Sequence, residues 1–216
     1  MPDVVIPLYE GFTALDVVGP YQMLALTPGV RVTLAAERAG AVTDDVGSLA
    51  LVATAALEDI AQTDVVVTPG GPGTEQALRG PIPLWLKQIH ARTTWTTSVC
   101  SGSLILGAAG LLDGLEATTH YRVADLLPMF GATYVPERVV EHPEARVITS
   151  AGVSSGIDMG LRLVELLADR LTAEAVQLWT EYAPQPPFDS GSPARARAEV
   201  RQRADEYEAA ARRTGG

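Results

Sequence analysis

The ten residues Thr94-Trp95-Thr96-Thr97-Ser98-Val99-Cys100-Ser101-Gly102-Ser103 decide the fold, because they join a strand directly to a helix. Residues 94–99 are rich in β-branched side chains, which favour a strand, and residues 104–112 read LILGAAGLL, an apolar helical pattern. A strand that turns sharply into a helix holds the residue at the turn clear of the sheet. The stretch therefore predicts an α/β domain with Cys100 at a strand-to-helix elbow.

Similar alternations of strand and helix flank this elbow on both sides. Short runs rich in Val, Ile and Thr predict strands over residues 4–8, 30–35, 65–68, 94–99 and 147–150. Helical patterns cover residues 20–25, 84–92, 103–109, 124–130, 156–170 and 173–182. This order predicts a mostly parallel sheet with helices on both faces.

The length and composition fit one large domain followed by a tail. The chain has 216 residues, of which 47% are hydrophobic and 19% charged. This apolar content is enough for one hydrophobic core. A second domain is possible but not required. Several prolines and a glycine interrupt the helical pattern after residue 183. We therefore expect a domain over residues 1–190 and a charged, helical tail over residues 191–216.

The charge balance excludes several classes of partner. A formal net charge of -10 repels both phosphate backbones and anionic lipid head groups, so neither nucleic acid nor a membrane is an expected partner. The first residues lack a signal-peptide pattern, and no apolar run is long enough for a membrane span. We expect a cytoplasmic protein. Its single cysteine cannot form an internal disulfide or a thiolate cluster.

Cys100 is the first candidate catalytic residue. At an elbow, the unpaired backbone N–H groups and the dipole of the following helix favour a thiolate, which is the nucleophilic form. The small polar neighbours Ser98, Ser101, Gly102 and Ser103 suit an accessible turn. The alternative is a buried cysteine that packs as a small apolar side chain.

A glycine-rich loop is the second candidate. Thr68-Pro69-Gly70-Gly71-Pro72-Gly73 follows a predicted strand, at the end of the sheet where α/β proteins place their sites. The backbone N–H groups of Gly70 and Gly71 can approach an atom that develops negative charge. The loop lacks the Lys and Ser/Thr of a phosphate loop. A plain tight turn is the alternative.

Asp16 and the histidines complete the candidates. Asp16 precedes Pro20 and, taken alone, favours an N-terminal helix cap. His120 either lines a pocket or is structural. The run His142-Pro143-Glu144 imitates a His-x-Glu catalytic pair but is flanked by a predicted strand, and we interpret it as a hairpin turn.

Five ordered motifs resemble the DJ-1/PfpI superfamily, which is class I glutamine amidotransferase-like. They cover residues 11–20, 67–73, 99–112, 117–121, and 148–152 followed by 156–158. The resemblance implies a flavodoxin-like three-layer sandwich, a homodimer and a small-molecule substrate. It also implies that Cys100 is the nucleophile, Asp16 the acidic residue facing it and Gly71 a backbone donor.

Within the superfamily the chain most resembles the isonitrile hydratase branch. That resemblance implies addition of water to an isonitrile through a cysteine thioimidate, without a metal or organic cofactor. Ser101 stands where the hydratases often carry Thr and the related peptidases carry His, so we expect it to assist Cys100 and Asp16. Gly70, Gly71 and His120 are the expected substrate-binding residues. The alternatives are a glyoxalase or deglycase, and a non-catalytic ligand-binding or redox-sensing module.

Overall fold

The computed structural model describes residues 1–214 as two units. The first unit spans Met1–Thr180 and the second begins at Glu181, before the expected boundary at residue 190. The strands are β1 (Asp3–Pro7), β2 (Arg31–Ala36), β3 (Gly40–Thr43), β4 (Ala50–Ala53), β5 (Ala55–Ala56), β6 (Val65–Thr68), β7 (Trp95–Val99), β8 (Glu116–Ala117), β9 (Thr133–Tyr134), β10 (Val139–His142) and β11 (Val147–Ser150).

The helices alternate with these strands over most of the first unit. They are α1 (Ala14–Ala25), α2 (Thr74–Ala77), α3 (Ile82–Ile89), α4 (Gly102–Ala108), α5 (Ser155–Leu167) and α6 (Arg170–Trp179). Helix α7 (Ala198–Thr214) belongs to the second unit. Short 3-10 helices cover Leu57–Asp59, His90–Arg92 and Tyr121–Phe130. No helix among the described residues is both long and apolar enough to cross a membrane.

Seven strands form the central sheet, in the order β10-β11-β7-β6-β1-β2-β5. All pairs in this sheet are parallel except β10 with β11. The predicted strands over residues 65–68 and 147–150 are confirmed. The strand predicted over 94–99 begins one residue later, and those predicted over 4–8 and 30–35 begin one residue earlier and one residue later, respectively. The mostly parallel sheet and the flavodoxin-like fold class are likewise confirmed.

The sheet is covered on both faces because its strands are apolar on both sides. Val65 and Val67 of β6 lie in one core cluster, to which α1 and α5 contribute, whereas Val66 lies in another with α3 and α4. Successive side chains of a strand point to opposite faces, so one run of valines supplies both clusters. The result is a three-layer sandwich.

Helix α1 corrects one prediction and places an acid in the interior. The proline pattern predicted a helix that begins at Pro20, but α1 begins at Ala14 and contains Pro20. Close packing explains why this proline is tolerated: a Cβ atom on Gly160 of α5 would lie 3.1 Å from the Pro20 Cα, so α5 presses against the interrupted turn. The extra turn at the start of α1 carries Asp16.

The antiparallel hairpin of β10 and β11 contains His142-Pro143-Glu144. His142 ends β10 and pairs with Val147, so Pro143 and Glu144 form the turn of a hairpin. The hairpin interpretation is confirmed. The imidazole Nε2 atom of His142 lies 2.7 Å from the backbone oxygen of Glu116.

Candidate functional site

The elbow at Cys100 holds its residue in a left-handed backbone conformation. Cys100 has a φ of 57°, a region that L residues rarely adopt. Its N–H lies 3.0 Å from the carbonyl oxygen of Ser150 and 2.9 Å from that of Ala151, so the turn is anchored to the end of β11. A Cβ atom on Gly102 would overlap the carbonyl oxygen of Thr68, so the first turn of α4 can approach β6 only through a glycine.

Asp16 lies beneath the elbow and is completely buried. Its Oδ2 atom accepts a 2.9 Å hydrogen bond from the N–H of Gly70. The other oxygen, Oδ1, is buried and has no hydrogen-bond partner among the described residues. Thr13, not Asp16, is the N-cap residue of α1, so the cap interpretation of Asp16 is wrong.

Burial makes Asp16 an acid that can hold its proton near neutral pH. Loss of solvation raises the pKa of Asp16 from 3.8 to about 7, although hydrogen bonding from Gly70 and from the Cys100 thiol lowers it. A carboxyl group with a pKa near the working pH can both give and take a proton. Asp16 therefore has the properties of a general acid and base.

The environment of Cys100 contains groups that favour the thiolate and groups that oppose it. The side chain is buried, and burial together with the charge of Asp16 raises the pKa of Cys100 to about 12. The backbone N–H groups of Ser101 and Val153 and the side-chain hydroxyl group of Ser101 act in the opposite direction, because each hydrogen-bonds to the sulfur. The elbow does supply the expected N–H groups, but loss of solvation acts more strongly on the pKa of Cys100 than they do.

The glycine loop meets both the acid and the elbow. The Gly70 N–H is bound to Asp16, and the Gly71 N–H donates a 3.0 Å hydrogen bond to Ser101 Oγ. Gly71 has a φ of 144°, and a Cβ atom on it would overlap the carbonyl oxygen of Gly11. The loop is therefore more than a plain turn, and its two N–H groups orient the side chains next to the thiol.

His120 stands in a loop that is bonded to the elbow. Its neighbour Thr119 donates a 3.0 Å hydrogen bond to the Cys100 carbonyl oxygen. His120 is half-buried and accepts a 3.4 Å hydrogen bond at Nδ1 from the Arg122 N–H, at the start of the 3-10 helix. Its ring fills the space beside Gly152, where a Cβ atom would lie 2.7 Å from the ring carbon Cδ2.

Three residues near the elbow escaped the sequence analysis. Tyr9, Thr74 and Val153 come from three different segments, each close to a motif of the family resemblance, but none of the three was singled out. Val153 has a φ of 24°, a strained conformation that its sequence does not indicate. Tyr9 and Thr74 are joined to Ser101 through hydroxyl groups.

A separate cavity of about 450 Å³ is lined in part by Tyr9. It is lined by residues 8–10, 36–42, 73, 76–77 and 80–82, and neither Cys100 nor Asp16 reaches it. The volume of this cavity therefore does not identify the candidate catalytic site. The contact between a buried acid and a buried thiol identifies it.

Comparison with known proteins identifies relatives of this chain. The sequence profile of the DJ-1/PfpI family matches residues 2–166. Isonitrile hydratase from Pseudomonas putida is 44% identical over 187 residues, which are 86% of this chain and 81% of that protein. The crystal structure of a ThiJ/PfpI family protein from Pseudomonas syringae superposes with a TM-score of 0.91 and 41% identity, covering 96% of this chain and 86% of the other.

A more distant relative carries a different activity. The glutathione-independent glyoxalase DJR-1.2 of Caenorhabditis elegans is 30% identical over 120 residues, which are 54% of this chain and 63% of that protein. Similarity to the hydratase is therefore both higher and more extensive than similarity to the glyoxalase.

Proposed function

The chain belongs to the DJ-1/PfpI family, and from that premise we propose that it is a hydro-lyase that adds water to isonitriles to give N-substituted formamides. One observation carries the proposal: the carboxyl group of Asp16 is buried next to the Cys100 thiol, with Oδ1 left without a hydrogen-bond partner among the described residues. An isonitrile carbon must be protonated and also attacked. An acid and a sulfur nucleophile at one point meet both needs.

In the first half-reaction the S–H bond adds across the terminal carbon of R–N≡C. Asp16 gives its proton to that carbon, and the sulfur of Cys100 forms a bond to the carbon as it becomes electrophilic. The proton of the thiol passes to the Asp16 carboxylate. The product is the thioimidate R–N=CH–S–Cys100, and Asp16 is again protonated. Burial raises the pKa of both Cys100 and Asp16, so a protonated acid beside the sulfur is available for this step.

In the second half-reaction water replaces the sulfur. Asp16 protonates the imine nitrogen and then accepts a proton from the water molecule that attacks the carbon. The tetrahedral intermediate R–NH–CH(OH)–S–Cys100 collapses to R–NH–CHO, and the proton of its hydroxyl group returns to the departing sulfur through Asp16. The sum is one isonitrile plus one water giving one formamide, with both residues restored.

The remaining site residues have supporting roles in this proposal. Gly70 holds Asp16 in place through the 2.9 Å hydrogen bond to Oδ2. Ser101 and Gly71 stand beside Cys100 and steady the polar intermediates. His120, which is half-buried in the loop bonded to the elbow, contacts the R group of the substrate.

Formamide release from cyclohexyl and aryl isocyanides tests the function directly. We expect turnover by the parent protein, none by Cys100→Ala and none by Asp16→Asn, with the fold of each variant verified by circular dichroism. Intact mass spectrometry should detect isonitrile mass on Cys100 of the parent during turnover. Full activity in Asp16→Asn would contradict the mechanism. Turnover of methylglyoxal without turnover of isonitriles would instead support the glyoxalase alternative, for which the Caenorhabditis elegans relative gives a precedent.

We also propose that the enzyme works as a cytoplasmic homodimer. The outer side of α1 exposes three large side chains, Leu15, Val18 and Tyr21, at 36–39% of their surface. An apolar helix face of this kind suits a second copy of the chain. Light scattering after size exclusion should give twice the monomer mass, and Val18→Asp should reduce it to the monomer mass. A monomeric parent protein would contradict this assembly.

A further inference from the structure

The carbonyl group of Cys100 is held by a side chain from outside the elbow. Thr119, between β8 and the 3-10 helix Tyr121–Phe130, donates a 3.0 Å hydrogen bond from Oγ1 to this carbonyl oxygen. The direction of the bond is fixed, because a carbonyl oxygen only accepts. Within the turn, Ser103 approaches the same oxygen less closely, at 3.3 Å from Oγ and 3.5 Å from the backbone nitrogen. Among the described residues, the Thr119 bond is therefore the shortest that this oxygen accepts.

Thr119 is itself held in place by the strand that supports the elbow. Its side chain is buried, and the N–H of the preceding residue, Thr118, donates a 3.0 Å hydrogen bond to Oγ1 of Thr149 in β11. The same strand accepts a 3.0 Å hydrogen bond from the Cys100 N–H, at the carbonyl oxygen of Ser150. Strand β11 thus anchors both the elbow and the loop that carries the Thr119 hydroxyl group.

The peptide group between Cys100 and Ser101 connects the Thr119 hydroxyl to the sulfur. Its carbonyl oxygen is bonded to Thr119, and its N–H, which belongs to Ser101, hydrogen-bonds to the Cys100 sulfur and lowers the pKa of the thiol. A peptide group is rigid and planar, so a bond at the oxygen fixes the direction of the N–H on the opposite side. A hydrogen bond accepted by the carbonyl also polarises the group and strengthens its N–H as a donor.

We propose that Thr119 is a positioning residue that aims the Ser101 N–H at the Cys100 sulfur and so makes Cys100 a better nucleophile. Cys100 has a φ of 57°, and a backbone conformation of this kind persists only where surrounding groups hold it. Thr119 supplies such a bond after the cysteine, as β11 does before it. The inference rests on the proposed role of Cys100 as the nucleophile but does not depend on isonitriles as substrates.

The ionisable groups around Cys100 come from several elements, and the test must keep their effects apart. They are Asp16 of α1, Tyr9 after β1, Asp45 between β3 and β4, whose charge reaches Asp16 and Tyr9, and His120 next to Thr119. The charge of Asp16 raises the pKa of Cys100 directly. Each variant is therefore compared in the Asp16→Asn background as well as in the parent protein.

The test is the pH dependence of iodoacetamide alkylation at Cys100, the single cysteine of the chain. We expect Thr119→Val and Thr119→Ala to raise the midpoint by about one pH unit, so that alkylation below the midpoint is about tenfold slower at a given pH. The limiting rate at high pH should change little, because neither substitution blocks access to the sulfur. Thr119→Ser keeps the hydroxyl group and should restore the parent midpoint.

Thr118→Val provides the matched control. It makes the same chemical change at the adjacent residue, which is also buried, but the Thr118 Oγ1 atom has no hydrogen-bond partner among the described residues. We expect this variant to keep the parent midpoint. Circular dichroism verifies the fold of each variant before alkylation.

The sign of the shift separates positioning from loosened packing. Burial is the main cause that raises the pKa of Cys100, so a loosened site that admits water would lower the midpoint instead of raising it. A midpoint that stays or falls in Thr119→Val and Thr119→Ala would overturn the proposal, as would an equal rise in Thr118→Val or in Thr119→Ser. Alkylation needs no isonitrile, so failure of the proposed hydratase activity is a separate result.

Discussion

The backbone N–H of Gly70 donates to Oδ2 of Asp16 at 2.9 Å, which ties the acid of α1 to the loop after β6. This bond satisfies one carboxylate oxygen and leaves Oδ1 buried without a partner among the described residues. The fold therefore tolerates Asp16 best in its neutral form. That preference has a consequence for stability that can be measured independently of catalysis.

Asp16→Asn should change how stability depends on pH. The pKa of Asp16 rises on folding from 3.8 to about 7, so the folded protein holds a proton that the unfolded chain releases between those values. The contribution of this group is thus favourable at low pH and is lost as pH rises through about 7. Relative to the parent protein, Asp16→Asn should gain on the order of 3 kcal/mol between pH 4 and pH 8. Urea unfolding at both pH values measures it.

The exposed acid Glu58 provides the control for this comparison, because Glu58→Gln removes a carboxylate outside the buried site. We expect its unfolding free energy to track that of the parent protein at both pH values. An equal effect of Asp16→Asn at pH 4 and pH 8 would show that Asp16 titrates normally.

Gly102→Ala should disrupt the elbow. A Cβ atom there would overlap the Thr68 carbonyl oxygen and lie 2.7 Å from that of Pro69, and backbone atoms cannot move aside cheaply. We expect a loss of about 3 kcal/mol in the free energy of unfolding. Gly80→Ala is the matched control, because the nearest atom to its Cβ would be 3.4 Å away. Comparable stabilities of the two variants would contradict the close approach of α4 to β6.

Substitutions of Cys100 should reveal the strain at the turn. At a φ of 57°, Gly is favoured over Ala by about 1 kcal/mol, so Cys100→Gly should unfold at higher urea than Cys100→Ala. Ser103 lies in α4, and there the order should be reversed by about 1 kcal/mol, with Ala more stable than Gly. The same order at both positions would show that Cys100 is not strained.

His90→Asn should weaken the acid sensitivity of the fold. His90 is half-buried, with Nδ1 2.8 Å from the Thr96 hydroxyl oxygen, and burial followed by the charge of Arg146 lowers its pKa below 6.5. The folded state thus favours neutral His90, and its contribution to stability is present above pH 6.5 and lost as pH falls below it. Thermal unfolding between pH 5 and pH 8 should show a smaller acid-induced drop in Tm for His90→Asn. An identical drop would mean that His90 is not responsible.

The local features of the fold were predictable because they depend on neighbouring residues. The run of valines before Thr68 and the abrupt change at Cys100 each occupy a few consecutive positions, and both predictions are confirmed. Asp16 shows the limit of local rules. Asp favours helix caps and Pro favours the first turn of a helix, and these two rules assigned Asp16 wrongly to a cap. Packing of α5 against Pro20 overrides both preferences.

The electrostatics of the site could not be predicted from the sequence. The elbow predicts a lowered pKa for Cys100, but burial, which depends on the whole fold, acts in the opposite direction. The hydroxyl contacts from Ser101 through Thr74 to Tyr9 join residues that are 27 and 65 positions apart in two steps. No periodicity or motif brings such residues together, so only the three-dimensional structure reveals them.

We expect the short strand β10 to reduce self-association at this edge of the sheet. It covers β11, whose four residues are all buried and which would otherwise end the sheet with a row of unpaired backbone groups. An apolar strand edge of that kind invites pairing with a strand of another molecule. Two hydrogen bonds from Arg162 of α5 to Glu141 hold β10 against the sheet. The hairpin of β10 and β11 supplies no catalytic group, and we expect it to limit aggregation at this edge of the sheet.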